Sequence, residues 1–344
     1  METKLYSHVF YRDDPHIEEA AEIIRKGGLV AFPTETVYGL GANALDPAAV
    51  AKIFEAKGRP VDNPLIAHIS KFDEIRRLVK SIPREAELLA QRFWPGPLTI
   101  ILPAAPSVPK EVTAGLPTVA IRLPGHPIAR ALIKAAGVPI AAPSANSSGR
   151  PSPTTALHVY EDMCGKIDAI LDGGRSGVGL ESTIVTLAER KPKLLRPGGV
   201  SLEDLEMVLG EVEVDKAVRE KLAENEKPLA PGMKYRHYAP AAPMTLIVGD
   251  PEKSMMKIRE LAGEEDGVLC FDEYFFRFGN VKYIRGFGHS SHPEEQAVRL
   301  FKVLRSFDTL PVRHIYAQCP EEKGIGLAVV NRLKKASGFS IIEV

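Results

Sequence analysis

A run of small hydroxyl and amide side chains at 142–154 is the part of this 344-residue chain best suited to bind a ligand. It reads Ala-Pro-Ser-Ala-Asn-Ser-Ser-Gly-Arg-Pro-Ser-Pro-Thr and follows Gly137–Ala141, an apolar stretch typical of a short buried strand. The prolines restrict φ and remove backbone donors, and Gly149 can adopt a positive φ. Such a segment buries little apolar surface, but its hydroxyls and backbone groups can hold an oxygen-rich ligand. An ordinary solvated turn is the alternative.

Cationic side chains stand at other positions where an anion could bind. Lys57 and Arg59 lie at the end of a predicted helix, where they suit a polyphosphate or simply complement the helix dipole. Arg122 lies in an apolar strand, and a buried guanidinium needs an anion, which is either an internal carboxylate or a substrate carboxylate. His68, also on an apolar strand, is more typical of a satisfied core residue. The glycine-rich segment 172–179 could present backbone N–H groups to an anion.

Composition argues against several classes of protein. The chain has 44 basic and 44 acidic residues, so no overall field attracts nucleic acid or an anionic membrane. Three widely spaced cysteines without a C-x-x-C pair argue against a disulfide framework or a structural zinc site and predict a cytoplasmic protein. There is no leader-like amino terminus, and no apolar stretch approaches the ~20 residues of a spanning helix. A P-loop sequence is also lacking, so any nucleotide must be held in another way.

Residues 1–210 are predicted to form an α/β domain with a mixed sheet, because helices and β-branched strands alternate there without βαβ regularity. A helix with an acidic N-cap and an early proline follows Asp13-Asp14-Pro15 and stops at Gly27-Gly28. Further helices are predicted at 47–56, 83–93 and 126–136, and strands at 29–32, 98–102, 118–123, 167–171 and 183–187.

Residues 211–243 are predicted to be a linker, and 244–344 a second, smaller domain. The linker is charge-rich and then proline-dense, which favours extended chain over helix. Beyond it, predicted strands at 244–248, 267–271 and 314–318 alternate with predicted helices at 251–262, 293–306 and 325–335. That alternation is typical of a doubly wound α/β domain with a largely parallel sheet. Its glycine-rich turns at 285–289 and 323–326 do not complete a dinucleotide-binding fingerprint.

Taken together, the polar motifs resemble those of the YrdC/Sua5 family. Six segments occur in that family's order and spacing: Pro33–Gly41, Lys57–Leu65, Pro95–Thr99, Val119–Pro127, Ala142–Thr154 and Ser182–Val185. The linker sequence Lys-Tyr-Arg-His-Tyr-Ala-Pro at 234–240 and the carboxyl-terminal domain resemble the longer, Sua5-type members.

The resemblance implies a fold and an activity. The implied fold is a twisted mixed-sheet YrdC-like domain with a concave cavity, plus a smaller Rossmann-like domain joined by a proline-rich linker that reaches over the active site. The implied enzyme is a nucleotidyltransferase, an L-threonylcarbamoyladenylate synthase. It takes L-threonine, bicarbonate and ATP with its Mg²⁺, uses no organic cofactor, and releases pyrophosphate. The product serves N6-threonylcarbamoyladenosine formation at position 37 of tRNAs reading ANN codons, through a separate transferring complex. Binding of tRNA is possible but is not required.

The resemblance also implies roles for single residues. Lys57 and Arg59 are the implied catalytic residues, acting by charge stabilisation. The implied ATP-binding residues are Lys57, Arg59, Asn63, Thr118, Ser144, Ser152, Arg196 and Tyr235. The implied L-threonine-binding residues are Thr34, Thr36, His68, Arg122, Ala142 and Ser182, with Arg122 pairing with the carboxylate. No protein ligand to a metal is implied.

Two other functions compete with this one. A double-stranded RNA or tRNA-binding module without ATP turnover would use a concave cationic surface, but the zero net charge disfavours it. A carbamoyl-transferring relative from hydrogenase maturation would carry C-x-x-C zinc motifs, and this chain has none.

Overall fold

The computed structural model describes residues 2–60, 62–221, 226, 228–233 and 238–344. The chain divides into two compact units. The first comprises Met1–Ser148, Pro153–Gly177 and Glu181–Lys234, and the second comprises Gly149–Ser152, Val178–Leu180 and Tyr235–Val344. Two short pieces of the predicted first domain therefore belong to the second unit.

Several helices in the first unit begin where the sequence provides a side-chain cap. Asp14 and Asp46 each accept a backbone hydrogen bond at the start of a helix, and a proline follows each of them. The helices are α1 (Pro15–Arg25), α2 (Pro47–Lys57), α3 (Arg84–Phe93), α4 (Lys110–Thr113), α5 (Pro127–Ala136), α6 (Ala156–Met163) and α7 (Leu202–Leu209). Short 3-10 helices lie at Phe72–Arg77 and Lys216–Val218.

The strands of the first unit are short, and all but the two at the edges of the sheet are largely buried. They are β1 (Lys4–Tyr6), β2 (Val30–Phe32), β3 (Gly39–Asn43), β4 (Ile66–His68), β5 (Leu98–Pro103), β6 (Thr118–Arg122), β7 (Ile140–Ala142), β8 (Ala169–Leu171), β9 (Thr183–Thr186), β10 (Lys193–Arg196) and β11 (Glu213–Val214). Within the described part of the chain they form one sheet in the order β1-β8-β2-β3-β7-β4-β6-β5-β9-β10-β11. β4 and β6 are parallel, whereas β5 and β6 are antiparallel, so the expected mixed sheet is confirmed.

Apolar layers hold this sheet in place. α1 and α5 pack together against β2, β7 and β8, and burial of such side chains contributes about 25 cal/mol per Å². A second cluster joins Ile66, Ala120 and Ile184 of the sheet to Ala217, Ala230 and Met233. The described residues at 217–218 and 230–233 are thus packed core of the first unit, although they lie in the segment predicted to be a linker.

The second unit is a parallel α/β sheet with helices between its strands. Its elements are β12 (Met244–Val248), α8 (Pro251–Leu261), β13 (Gly267–Cys270), a 3-10 helix (Asp272–Tyr274), β14 (Tyr283–Gly286), α9 (Pro293–Phe307), β15 (Ile315–Gln318), α10 (Gly326–Ala336) and β16 (Ile341–Glu343). The strand order is β14-β13-β15-β12-β16. This order confirms the doubly wound domain that the sequence predicts. In the described ranges, no helix is both long and apolar enough to span a bilayer.

Candidate active site

The register of three strands brings predicted site residues into one row. His68 at the end of β4 lies opposite Arg122 at the end of β6, and Arg122 lies opposite Thr99 of β5. Residues that face each other on neighbouring strands point to the same side of a sheet. His68, Arg122 and Thr99 therefore share one face of the sheet.

Arg122 is almost fully enclosed, with 4% of its surface exposed. Its Nε donates to the Gly96 carbonyl at 3.3 Å, Nη1 to Thr36 Oγ1 at 2.9 Å, and Nη2 to Glu35 Oε1 at 2.7 Å. Of the two anions that the sequence left open, the structure supplies the internal one, the Glu35 carboxylate.

Glu35 is held as a carboxylate. Burial by itself disfavours its charge, but the Arg122 guanidinium and backbone hydrogen bonds outweigh burial, so the pKa of Glu35 lies below its ordinary value. The backbone N–H of His126 donates to its second oxygen, Oε2, at 3.3 Å. Glu35 was not among the functional residues predicted from the sequence. Its position between two predicted threonine-binding residues, Thr34 and Thr36, was the available signal.

Thr34 and Thr36 extend the contacts of Arg122. Their hydroxyl oxygens lie 2.8 Å apart, and Thr34 Oγ1 donates to the Val37 carbonyl at 2.5 Å. Both threonines are buried, and the turn fixes their rotamers through these bonds.

His68 is neutral. Burial, reinforced by the nearby Arg122 charge, lowers its pKa to about 3. Its Nδ1 lies 3.1 Å from the Ile66 carbonyl and 3.3 Å from the Ile140 carbonyl. Carbonyl oxygens only accept, so Nδ1 carries the proton and Nε2 is an acceptor.

Ser182 links this row to Arg196. The hydroxyls of Thr99 and Ser182 lie 2.8 Å apart, and Arg196 donates from Nη2 to Ser182 Oγ at 3.1 Å and from Nε to Ser182 O at 3.0 Å. Gly198 allows this approach, because a Cβ there would overlap the backbone nitrogen of Thr183. One predicted threonine-binding residue and one predicted ATP-binding residue are therefore in direct contact.

The loop after β7 wraps around Lys57. Lys57 ends α2 with 5% of its surface exposed, and its Nζ donates to the carbonyls of Ser144 and Asn146 at 2.5 Å each. Ser144 Oγ donates to Asn146 Oδ1 at 2.5 Å, and the Ser148 N–H donates to the Lys57 carbonyl at 3.0 Å. These bonds bring together two predicted ATP-binding residues, Lys57 and Ser144, from distant parts of the sequence.

The segment after α2 contains two more predicted ATP-binding residues, Arg59 and Asn63. The Arg59 N–H donates to the Phe54 carbonyl at 3.0 Å, which ties the start of this segment to the last turn of α2. Asn63 is 0% exposed, and neither its amide nitrogen nor its amide oxygen has a hydrogen-bond partner in the described structure. Buried amides are rarely left in this state, because each unmade hydrogen bond costs about 1–3 kcal/mol. A ligand that supplies a donor and an acceptor would remove this cost.

The other predicted residues lie elsewhere. Thr118 begins β6, four residues before Arg122, which places their Cα atoms about 13 Å apart along the strand. Ala142 is buried on β7. Ser152 is buried in the second unit, and Tyr235 lies outside the described residues. Among the residues that the structure describes, no three His, Cys, Asp or Glu side chains group as a metal site.

Comparison with family models decides the family. The model described as "Telomere recombination", which covers Sua5, YciO and YrdC proteins, matches residues 22–198. A second model, the threonylcarbamoyl-AMP synthase C-terminal domain, matches residues 200–338. The chain belongs to the YrdC/Sua5 family, as a Sua5-type member. The resemblance found in the six sequence motifs is thereby confirmed.

Known Sua5 proteins are similar over nearly the whole chain. The threonylcarbamoyl-AMP synthase of Pyrococcus abyssi is 53% identical over 339 residues, covering 95% of this chain and 96% of the relative. That of Bacillus subtilis is 49% identical over 334 residues, covering 96% and 95%. The crystal structure of P. abyssi Sua5 complexed with L-threonine matches with a TM-score of 0.90 at 53% identity, over 95% of this chain and 96% of that chain.

Proposed function

We propose that this Sua5-type protein is a threonylcarbamoyl-AMP synthase, an adenylyl-transferring enzyme that joins L-threonine, bicarbonate and ATP and releases pyrophosphate. The relatives that match nearly the whole chain carry this activity in their names, and one of them has been crystallised with L-threonine. Small-molecule substrates are therefore the ligands that the site must accommodate.

One observation in the structure supports this function above the others. A chain of short contacts runs from Thr34 through Thr36 to Arg122, which faces Thr99 across the strand pair. It continues from Thr99 through Ser182 to Arg196. Polar groups proposed for the amino acid and for the nucleotide thus form one buried set, as is needed to bring two substrates into contact.

The proposed chemistry needs no protein nucleophile. The amino group of threonine attacks the carbon of bicarbonate and forms an N-carboxylate, with loss of one water molecule. An oxygen of this N-carboxylate then attacks the α-phosphorus of ATP, and pyrophosphate leaves. Lys57 and Arg59 stabilise the phosphate charge, and Arg122 pairs with the threonine carboxylate. The neutral His68 offers Nε2 as an acceptor, which suits the hydroxyl or amino group of threonine. Mg²⁺ enters with ATP as part of the substrate.

The test is the dependence of pyrophosphate release on each substrate. Purified protein with ATP and Mg²⁺ should release pyrophosphate only when both threonine and bicarbonate are present. Serine at equal concentration and bicarbonate-depleted buffer are the controls. Release without threonine, or formation of ADP instead of AMP derivatives, would show that the proposed function is wrong.

The product is expected to leave the enzyme for a separate transferring complex that modifies adenosine 37 of tRNAs reading ANN codons. Mixed anhydrides hydrolyse readily, which favours prompt transfer in the same compartment. We place the reaction in the cytoplasm, because the three cysteines, Cys164, Cys270 and Cys319, are all free thiols.

A further inference from the structure

The ion pair between Arg122 and Glu35 lies within the first unit and is partly open to a ligand. Nη2 of Arg122 donates to Oε1 of Glu35 at 2.7 Å, and the two side chains are 4% and 20% exposed. The other oxygen of Glu35 accepts from the His126 N–H at 3.3 Å, so the carboxylate is held from two sides. Glu35 is therefore the member of the pair that a ligand can reach.

Arg122 keeps hydrogen-bonding capacity for such a ligand. A guanidinium has five N–H groups. In the part of the chain that the structure describes, Arg122 uses three of them, toward Gly96, Thr36 and Glu35. The remaining N–H groups belong to a side chain that is almost fully enclosed, and buried N–H groups are rarely left without an acceptor. A carboxylate suits them, because it can accept from two neighbouring N–H groups of one guanidinium.

The charges beside this pair determine what else the ligand must carry. The pKa of Glu35 lies below its ordinary value, so at neutral pH its carboxylate already cancels the charge of Arg122. Burial lowers the pKa values of His68 and His126, so neither imidazole adds a positive charge. A ligand that brings only a carboxylate would therefore add an uncompensated negative charge to a buried place. A ligand that also brings an ammonium group adds no net charge.

We propose that Glu35 is a specificity-determining residue of the amino-acid site. Its carboxylate receives the ammonium group of an amino acid whose own carboxylate lies against Arg122, so the site selects a zwitterion over a simple carboxylate. Glu35 can accept this group without releasing Arg122, because each carboxylate oxygen has a second lone pair. Nε2 of His68 is then left for the hydroxyl group. This inference rests on the proposed function, in which the amino acid is threonine.

The proposal predicts opposite changes for two analogues of threonine. In 2,3-dihydroxybutanoate a hydroxyl replaces the ammonium group, so this analogue carries only the negative charge. In threoninol a hydroxymethyl group replaces the carboxylate, so this analogue carries only the positive charge. In Glu35→Gln the first should bind about tenfold more tightly and the second about tenfold more weakly, since a neighbouring charge changes such equilibria by at least about that factor. Structural damage would instead weaken both.

Titration calorimetry with the full-length protein measures the affinity for L-threonine and for both analogues at neutral pH. The variants are Glu35→Gln and, as its conservative partner, Glu35→Asp, which keeps the charge and should keep the order of the three ligands. The matched control is Glu74→Gln. Glu74 is also a partly buried carboxylate of the first unit, and its two oxygens accept from the backbone and the hydroxyl of Ser70 at 2.8 Å each. Urea unfolding shows whether each variant is folded.

The outcomes separate this inference from the proposed function. If the wild type releases pyrophosphate without threonine, the proposed function fails, whatever the analogues do. If the wild type requires threonine, opposite changes in Glu35→Gln alone support the inference. Changes in the same direction, or changes as small as those in Glu74→Gln, would show that the inference about Glu35 is wrong.

Should Glu35→Gln not fold, the pH dependence of the wild type decides. Threonine should bind more weakly above the pKa of its free ammonium group, because the group that Glu35 receives then loses its charge. The affinity for 2,3-dihydroxybutanoate should not change over the same range. An unchanged affinity for threonine, or an equal loss for both ligands, would overturn the inference.

Discussion

Arg122 is fixed within the protein by hydrogen bonds and an ion pair with a carboxylate. These are the same kinds of contact through which it is proposed to bind the carboxylate of threonine. Its three nitrogens contact Gly96, Thr36 and Glu35, so its position is fixed before any ligand binds. Breaking a buried ion pair on one side typically costs about 3–5 kcal/mol. Substitution of Arg122 therefore affects stability as well as binding, and controls must separate the two.

For Arg122→Ala we expect a rise in KM for threonine of at least about tenfold, since a charge-assisted carboxylate contact is worth about 1.5–3 kcal/mol. For Lys57→Ala we expect KM for ATP to change more than KM for threonine. Pyrophosphate release with each substrate varied in turn measures both. The double variant Arg122→Ala/Glu35→Gln removes the stranded carboxylate and serves as the folding control. Equal effects of both substitutions on both substrates would contradict the residue roles.

The buried amide of Asn63, which lacks hydrogen-bond partners in the described structure, is expected to lower the stability of the free protein and to strengthen ATP binding. Asn63→Leu replaces the unsatisfied amide with an apolar side chain of similar size, so the unfolding free energy should stay unchanged or rise by about 1 kcal/mol. The same change should weaken ATP binding, because the leucine side chain cannot form the hydrogen bonds that the amide is proposed to make with the ligand. Urea unfolding and titration calorimetry with ATP measure the two effects. A large loss of stability with unchanged ATP affinity would show that Asn63 is structural.

His68 makes stability depend on pH. Its pKa is about 3 in the folded protein against about 6.5 unfolded, so the unfolded chain binds more protons between these values. The contribution of neutral His68 to the free energy of unfolding is present above about pH 6.5 and is lost on acidification. Between pH 7 and pH 5 this loss amounts to about 2 kcal/mol. Glu35, with its lowered pKa, loses its contribution only at more acidic pH.

The variant His68→Gln should remove this part of the pH dependence. Urea unfolding at about pH 7 and about pH 5 measures it, and the wild-type loss of stability should exceed the variant loss. Identical losses in the two proteins would show that His68 titrates normally in the folded state.

At the scale of elements, Gly58 at the end of α2 sets the direction in which the chain leaves the helix, between Lys57 and Arg59. Gly58 caps this helix with φ of +62°, and a Cβ there would meet nothing within 4 Å. Gly137 caps α5 in the same way, with φ of +70° and open space around it. The two glycines differ in the next residues of the chain, since only Gly58 leads directly to a predicted ATP-binding residue.

Gly58→Ala should therefore cost about 1 kcal/mol of stability from left-handed strain and also raise KM for ATP by displacing Arg59. Gly137→Ala should cost about the same stability and leave both KM values unchanged. Thermal unfolding and pyrophosphate release distinguish the two. A rise in KM for ATP in both variants would show a general effect of destabilisation instead.

Helices and strands whose ends are marked by capping residues, prolines or glycines could be predicted from the sequence. Elements without such markers could not. The sequence predicted α1, α2 and α5 because caps, prolines and glycines mark their ends. It did not predict β3 (Gly-Leu-Gly-Ala-Asn), because glycine-rich segments have low strand propensity. It did not predict β14 (Tyr283–Gly286) either, because the end of this strand overlaps the glycine-rich segment 285–289, which the sequence predicts to be a turn. Both are strands because neighbouring strands pair with them, β2 and β7 with β3, and β13 with β14.

For the whole molecule, the zero net charge bears on tRNA. With 44 basic and 44 acidic residues, long-range attraction to a polyanion is weak. We expect the initial rate of pyrophosphate release to be unchanged within about twofold when bulk tRNA is added at physiological salt. A strict requirement for tRNA, or strong salt-sensitive tRNA binding without ATP turnover, would instead favour the RNA-binding alternative. The rate with and without tRNA, at low and at physiological salt, decides.

The sequence by itself determined the types of residue available for chemistry, the order of the motifs and the ends of the helices. These depend on side-chain chemistry and local backbone preferences, which act over a few residues. It also determined the family, because the six motifs keep their order and spacing.

Only the tertiary structure decided which groups meet. It selected Glu35 as the partner of Arg122, brought Ser182 against Arg196, packed Ala217 and Met233 onto the sheet, and fastened 149–152 to α9. These contacts join residues far apart in sequence, and they depend on strand order and register. Because local propensity contains no information about which distant strand will pair, the motifs alone could not supply them.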